Sequence, residues 1–220
     1  MSRALAVLRP EPGNASTAAR ITALGLTALC LPLFEVAPLD WAPPDPAAHD
    51  ALILTSANTL RHGGAKLVAL RSLPVVAVGA TTAEAAKLAG FQVIAIGDGD
   101  AAAVVAKAEA QGISRALYLG GRDRILSTGG IVAATIPVYA SIVLPIRLGQ
   151  IAAARESVAL LHSIRAAQVF SDLVQDRAEY RIAALSLAIL HAAGPGWNRA
   201  VCAAAPTDDA LLAAATTLAD

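Results

Sequence analysis

Ala51-Leu52-Ile53-Leu54-Thr55-Ser56 and Val158-Ala159-Leu160-Leu161-His162-Ser163 are the two stretches that decide the fold. Each is a short apolar run ending in a small polar residue, and Ser163 follows Ser56 by 107 residues. Val75-Val76-Ala77-Val78-Gly79 and Ile182-Ala183-Ala184-Leu185-Ser186 keep the same interval. Asp100-Ala101 and Asp209-Ala210 each open a helical stretch at nearly that interval. A spacing held so constant means two similar units in one chain. Short buried runs alternating with longer helical ones imply parallel sheets with helices on both faces.

Outward from the repeat, Ala4–Leu8 reads as a strand and Ser16–Leu24 as a helix. Ala28–Val36 reads as one extended stretch, and Pro38, Pro43, Pro44 and Pro46 mark residues 37–49 as a connection. Val93–Ile96 and Ala116–Leu119 are further strands, Ile131–Leu144 is a long extended stretch, and Arg199–Ala203 is the last strand. The second unit lacks a strand and helix of its own after Leu144, so the N-terminal pair is assigned to it. The expected architecture is α/β, with two flavodoxin-like parallel-sheet domains. One is discontinuous (residues 1–36 plus 142–220) and the other inserted (37–141). The chain then crosses twice, near 31–38 and 137–145, and two extended crossover strands side by side leave a cleft between the domains.

Composition narrows the function. Seventeen Lys and Arg balance seventeen Asp and Glu, and a formal charge of zero argues against a nucleic-acid partner. Mean hydropathy is high, at +0.58. The longest uncharged run, Ile125–Ile146 between Arg124 and Arg147, is long enough to span a bilayer, but Gly129, Gly130, Pro137 and Pro145 break it. Arg3 is followed by only five apolar residues before Arg9-Pro10, which gives no secretory signal. A cytoplasmic protein with no membrane partner is expected. Cys30 and Cys202 sit in apolar runs and read as small buried hydrophobes.

Gly97-Asp98-Gly99-Asp100 superficially fits the dinucleotide fingerprint. The next strand ends Leu119-Gly120-Gly121-Arg122, without the acidic residue that grips a ribose, so Asp98 or Asp100 reads better as a helix cap. Four sites lie where a strand turns into a helix: Thr55-Ser56-Ala57-Asn58, Gly79-Ala80-Thr81-Thr82, Gly120-Gly121-Arg122 and Ser163-Ile164-Arg165. Ligands of open α/β sheets bind at such strand ends, and helix N-termini there favour carboxylates or phosphates. The bland reading of each is plain N-capping. His49, His62, His162 and His191 show no metal spacing and read as surface or structural. Tyr139, the one tyrosine of the second crossover, can donate a proton or a hydrogen bond from a position outside either core. Trp41 and Trp197 read as anchors of connections.

Several of these stretches resemble the uroporphyrinogen-III synthase family. The likeness rests on Leu8-Arg9-Pro10, Leu33-Phe34-Glu35, Leu54-Thr55-Ser56-Ala57-Asn58, Val78-Gly79-Ala80-Thr81-Thr82-Ala83, Tyr118-Leu119-Gly120-Gly121, Val138-Tyr139, Leu161-His162-Ser163 and Pro206-Thr207-Asp208. It implies a hydro-lyase that closes the linear tetrapyrrole hydroxymethylbilane into uroporphyrinogen III, with loss of water and inversion of ring D through a spiro intermediate. It implies no cofactor or metal. It also implies a monomer, and a transient contact with the enzyme that makes the bilane. The chemistry is mainly positioning. By resemblance Tyr139 assists departure of the hydroxyl. Arg9, Thr55, Ser56, Asn58, Gly79, Thr81, Thr82, Gly120, Gly121 and Ser163 line the site for acetates and propionates. The chain departs from the family at Ser186-Leu187-Ala188, where Gly-Pro-x-Thr-Ala is common, so no hydroxyl role carries over to position 188. His162-Ser163-Ile164 also replaces a commoner Ser-Pro pattern. The competing reading is a non-catalytic, two-lobed binder of small anions.

Overall fold

The computed structural model describes residues 2–97, 101–124, 126–146 and 148–219. Among these residues, eleven strands fall in two sheets. The first holds β1 (Ala4–Val7), β2 (Ala28–Cys30), β9 (Ser157–Leu161), β10 (Arg181–Ala184) and β11 (Arg199–Cys202), in the order β11-β10-β9-β1-β2. The second holds β3 (Phe34–Pro38), β4 (Ala51–Leu54), β5 (Val75–Ala77), β6 (Val93–Ile96), β7 (Ala116–Gly121) and β8 (Val132–Val143), in the order β3-β8-β7-β4-β5-β6. The first sheet is parallel throughout, as is β8-β7-β4-β5-β6. The edge strand β3 runs against β8, because Leu33 O accepts from Leu144 N and Val138 O from Leu39 N. The chain divides into two compact units, residues 1–35 with 143–220, and residues 36–142.

Leu5 pairs with Val158 and Ala6 with Ala159, which is the strand pairing that the repeat predicts. The two units are related by a circular permutation. β9, β10 and β11 take the places of β4, β5 and β6, while the N-terminal β1 and β2 take those of β7 and β8. Counted within its unit, the first sheet runs 2-1-3-4-5 and the parallel part of the second 3-2-1-4-5, the two common doubly wound orders. The difference arises only from where the chain enters. The last helix, α8 (Asp208–Ala219), ends beside β1, where Arg3 N–H donates to Ala219 O at 2.7 Å. In the other unit the helix α4 (Ala101–Ala110) leads into β7 through continuous chain.

Both faces of each sheet are covered, so the strands are apolar on alternate residues facing both ways. In β1, Ala6 faces α6 (Ile164–Leu173) and α7 (Leu187–Ala193), through Ala167, Phe170 and Ala193. Leu5 and Val7 face α8 and α1 (Gly13–Ala23), through Leu211, Ala215 and Ile21. In β4, Leu52 and Leu54 meet Ala83 and Ala86 of α3 (Ala80–Leu88), while Ile53 meets Val104 and Ala108 of α4. Alanine on the helices lets them seat close to the sheet, which explains a core with few aromatics. On α6 the buried Phe170 departs from this, stacked 5.7 Å from Trp197 and edge-on to Tyr180. Trp41 is buried, and its indole N–H donates to Gly63 O at 3.0 Å, tying down the proline-rich connection.

Several expectations need correction. Ala28–Val36 is not one extended stretch: β2 stops at Cys30 and β3 begins at Phe34, with Pro32 between them. α1 starts at Gly13, three residues earlier than expected. The helices α2 (Asn58–His62) and α5 (Leu148–Ala153) are too short for a periodic pattern to reveal. Cys30 is exposed and Cys202 half-buried, because β2 is an edge strand and Cys30 its last residue. Asp98, Gly99 and Asp100, read as a fingerprint or a helix cap, lie outside the described residues, as do Ile125 and Arg147. Among the described residues no helix is long and apolar enough to cross a membrane.

Candidate functional site

Strand order reverses between β4 and β7 in one unit and between β1 and β9 in the other. The carboxyl ends of strands at such points are where open α/β sheets bind ligands. Arg9, Thr55, Ser56, Asn58, Gly120, Gly121 and Ser163 fall at these ends, while Gly79, Thr81 and Thr82 follow β5 and Tyr139 lies on β8.

In the inserted unit, β4 leads into Thr55-Ser56 and β7 into Gly120-Gly121. Ile53 pairs with Tyr118, which is 1% exposed. The Tyr118 phenol leans along the strand over Gly120, where any Cβ would run into its ring and hydroxyl. The lean brings Tyr118 Oη to 2.8 Å from Thr55 Oγ1. Burial raises the Tyr118 phenol above its ordinary value, against the hydrogen bond it shares with Thr55, so it stays protonated at neutral pH. A register shift at Gly120/Gly121 then pairs Gly121 with Tyr139 of β8. A Cβ on Gly121 would lie 2.6 Å from Tyr139 Cε2. The two glycines therefore make room for two tyrosine rings.

Tyr139 is half-buried and packs against the core of the inserted unit, with His62 tilted against it at 6.1 Å. Burial, and the charge of Arg61, lower the His62 imidazole below its ordinary value, so it is neutral at pH 7. Ser56 Oγ accepts from Asn58 N at 3.2 Å, and Asn58 Oδ1 accepts from Arg61 Nη1 at 2.9 Å. Thr59 Oγ1 donates to Leu119 O at 3.2 Å, fastening α2 to β7. At β5, extended Gly79 precedes α3 without a side-chain cap. The first N–H groups of α3 thus lack an intrahelical partner. Thr81 is exposed there, and Thr82 is 5% exposed.

In the other unit, the end of β1 presents Arg9 and the end of β9 His162-Ser163. A carboxylate from α8 fills the space between them. Asp208 Oδ1 lies 2.9 Å from His162 Nε2 and 3.8 Å from Arg9 Nη1. Asp208 Oδ2 accepts from Thr17 Oγ1 at 3.0 Å and lies 3.6 Å from Arg20 Nη1. Below them Asn14 Nδ2 donates to Val7 O and Arg9 O, holding the turn after β1. Burial alone would raise the Asp208 carboxyl, but donors from His162 and Thr17 and the charge of Arg9 outweigh it, and the group is held below its ordinary value. Burial lowers the His162 imidazole despite Asp208. Ser163 Oγ accepts from Ala166 N at 3.1 Å and caps α6.

The family model described as uroporphyrinogen-III synthase HemD matches residues 15–213. The chain belongs to the uroporphyrinogen-III synthase family. The uroporphyrinogen-III synthetase of Helicobacter pylori 26695 superposes with a TM-score of 0.65 at 19% identity, covering 99% of this chain and 100% of that one. A mutant uroporphyrinogen III synthase of the extremely thermophilic bacterium Thermus thermophilus gives a TM-score of 0.50 at 13% identity, covering 96% of each chain. At these identities the likeness speaks for a shared fold. No curated protein matches the chain.

For a uroporphyrinogen-III synthase, the residues singled out by sequence fall in two groups. Thr55, Ser56, Asn58, Gly79, Thr81, Thr82, Gly120, Gly121 and Tyr139 all belong to the inserted unit, at the ends of β4, β5 and β7 and alongside on β8. Arg9 and Ser163 belong to the other, where Ser163 is engaged as a cap and Arg9 lies beside Asp208. Tyr139 does not stand clear of both cores as expected: it packs on one of them. Gly120 and Gly121 leave the space that the Tyr118 and Tyr139 rings occupy. Counting from the caps Gly79 and Ser186, the position equivalent to Thr82 in the other unit is Ile189, which likewise carries no hydroxyl. Sequence reasoning gave Tyr118 and Asp208 no role of their own, and the contact of His62 with Tyr139 agrees with its reading as a structural residue. Tyr118 reads as one more apolar strand residue, and only the small pair after it hints that its ring has somewhere to lean.

Proposed function

We propose that the chain closes hydroxymethylbilane into uroporphyrinogen III as a hydro-lyase. The carrying observation is the family match across residues 15–213. The geometry supports it. Hydroxyl groups, uncapped helix N–H groups and a half-buried phenol meet at one sheet edge, and little acid–base apparatus accompanies them. The bilane ionises readily because its pyrrole nitrogens push out the hydroxyl, so the protein's task is to hold the chain folded for attack by the substituted carbon of ring D. Thr55, Ser56, Asn58, Thr81 and the backbone at Gly79 hold substrate carboxylates, and Tyr139 donates toward the departing hydroxyl. Arg9 adds a cation, while Thr82 and Ser163 act through the helix ends they help to build. The reaction so read requires neither metal nor cofactor. The protein works as a cytoplasmic monomer that receives its substrate from the bilane-forming enzyme.

The test supplies the protein with hydroxymethylbilane from a bilane-forming enzyme, oxidises the products and separates the uroporphyrin isomers. Isomer III in excess over the spontaneous isomer I is expected. A product that is isomer I alone, at the uncatalysed rate, would rule the reading out in favour of the anion binder.

A further inference from the structure

Resting on that reading, we propose that Gly13 and Thr17 are positioning residues that seat the guanidinium of Arg9, so that it meets a carboxylate of the linear tetrapyrrole already aimed. The seat is built at the carboxyl end of β1, where strand order reverses in this unit. Arg9 follows β1 by two residues, and its side chain lies against the start of α1. A Cβ on Gly13 would lie 2.4 Å from Arg9 Nε and 2.8 Å from Arg9 Nη2. The guanidinium therefore occupies the place where any other residue would carry its side chain. The backbone does not call for glycine there, since Gly13 is not among the glycines with positive φ. Glycine is also a poor helix former. A residue that weakens α1 thus stands at its first position, and what it provides is room for Arg9.

One turn on, Thr17 is wholly buried, and its hydroxyl joins Arg9 to Asp208. Arg9 Nη1 donates to Thr17 Oγ1 at 3.4 Å, and Thr17 Oγ1 donates to Asp208 Oδ2 at 3.0 Å. Chemistry fixes both directions. A guanidinium can only donate, and Asp208, held below its ordinary value, is a carboxylate at neutral pH and can only accept. Asp208 itself offers Arg9 charge but no hydrogen bond, at 3.8 Å from Nη1, while its oxygens are engaged by Thr17 and His162. The guanidinium is thus anchored through one nitrogen. Among the described residues Nε and Nη2 meet no acceptor, and the Arg9 side chain keeps 37% of its surface open. A guanidinium held in place with donors to spare suits a carboxylate, which it can grip with paired N–H groups. An unseated arginine would lose its rotamer freedom at the moment of binding, and the seat removes that cost beforehand. Gly13 and Thr17 act only through Arg9.

The test measures KM and kcat in the bilane assay, and thermal unfolding, for full-length variants beside the wild type. Arg9→Ala should raise KM about tenfold with kcat within about threefold, the loss of a charged hydrogen-bond donor made to substrate and transition state alike. Gly13→Ala is the most telling variant. Its methyl pushes aside the far end of a flexible side chain, which costs the fold little, and alanine is the better helix former. It should melt at or above the parent and still raise KM about threefold, a combination that a merely structural glycine would not give. Thr17→Val should raise KM about fivefold, and Thr17→Ser, which keeps the hydroxyl, should restore most of the affinity. In the Arg9→Ala background neither Gly13→Ala nor Thr17→Val should raise KM further, because the group they seat is gone. A wild-type KM in folded Arg9→Ala or Gly13→Ala, or losses that add to that of Arg9→Ala, would overturn the proposal and leave these contacts as packing. Should Thr17→Val fail to fold, Gly13→Ala alone and combined with Arg9→Ala decides it in the same way. Isomer III from the wild type with an unmoved KM in Gly13→Ala sinks the proposal alone. A wild type that makes no isomer III would sink the functional reading itself, and the proposal with it.

Discussion

At the level of single residues, Tyr139 and the His162–Asp208 pair make separable predictions. Tyr139 lies over Gly121 and against His62 on the core of the inserted unit, so the ring is held by packing and not by its hydroxyl. Tyr139→Phe should keep the fold and slow ring closure about ten- to a hundredfold, at the low end of usual acid–base contributions. Isomer III should persist, because the folded bilane sets the isomer. Total cyclised product together with the III-to-I ratio checks both halves, and an unchanged rate would make Tyr139 a packing residue. The pair predicts a pH dependence of stability. His162 has its folded pKa lowered from 6.5, so below about pH 6.5 the unfolded chain takes up a proton that the folded one resists, and stability falls with pH. Asp208, lowered from 3.8, adds stability that is present above that value and lost only as pH falls further, through its folded pKa. Melting curves across this range should show two successive losses. His162→Gln should remove the first and leave the second.

At the level of elements, the strand ends carry most of the meaning, and their roles divide unevenly. Ser163 and Ser186 cap α6 and α7 through their hydroxyls, whereas Gly79 leaves α3 uncapped. The equivalent positions of the repeat therefore do different work. Ser163→Ala should cost about 1 kcal/mol of stability, the usual loss for an N-cap, and leave KM within about twofold. Denaturant unfolding and the bilane assay on one preparation would show it, and a large KM change with intact stability would restore Ser163 as a ligand contact. Gly121→Ala should destabilise more, by about 1–3 kcal/mol, because the added methyl meets the Tyr139 ring and the backbone around it is paired in a sheet. These elements were legible in different degrees. The strands β4, β5, β9 and β10 announce themselves as apolar runs ending in Ser or Gly, and the interval between them yields the sheet pairing. The hydroxyls of Thr55 and Ser56 are visible in the sequence as small polar residues at a strand end. What their hydrogens face is not visible, because Tyr118 reaches Thr55 across 63 residues of chain. Asp208 meets Thr17 and His162 across long stretches of chain too, and no local pattern marks either contact.

At the level of the molecule, the permuted relation between the units yields the most demanding test. The first unit is interrupted between α8 and β1, and the second is continuous between the corresponding α4 and β7. The interruption lies where Arg3 N–H meets Ala219 O, so a short flexible link between those residues would bridge neighbouring ends without displacing a strand. The matching place in the other unit is the turn at Gln111-Gly112, which is exposed and closes α4 through Gly112 N to Glu109 O and Ile113 N to Ala108 O. A chain joined from 219 to 3 and opened between Gln111 and Gly112 exchanges the two roles: the inserted unit becomes the discontinuous one. No strand pairing is lost, and neither α4 nor β7 loses a core residue, since the cut falls on exposed backbone. Chain closure elsewhere adds little entropy cost, because that cost grows only slowly with loop length. The permuted protein should fold with the same secondary structure by circular dichroism, melt in one or two transitions close to the parent, and form isomer III. Its failure to fold, with the joined but unopened parent intact, would show that β7 must be synthesised in line with α4 to find its place beside β4, and that the two units are alike in arrangement but not in how they assemble.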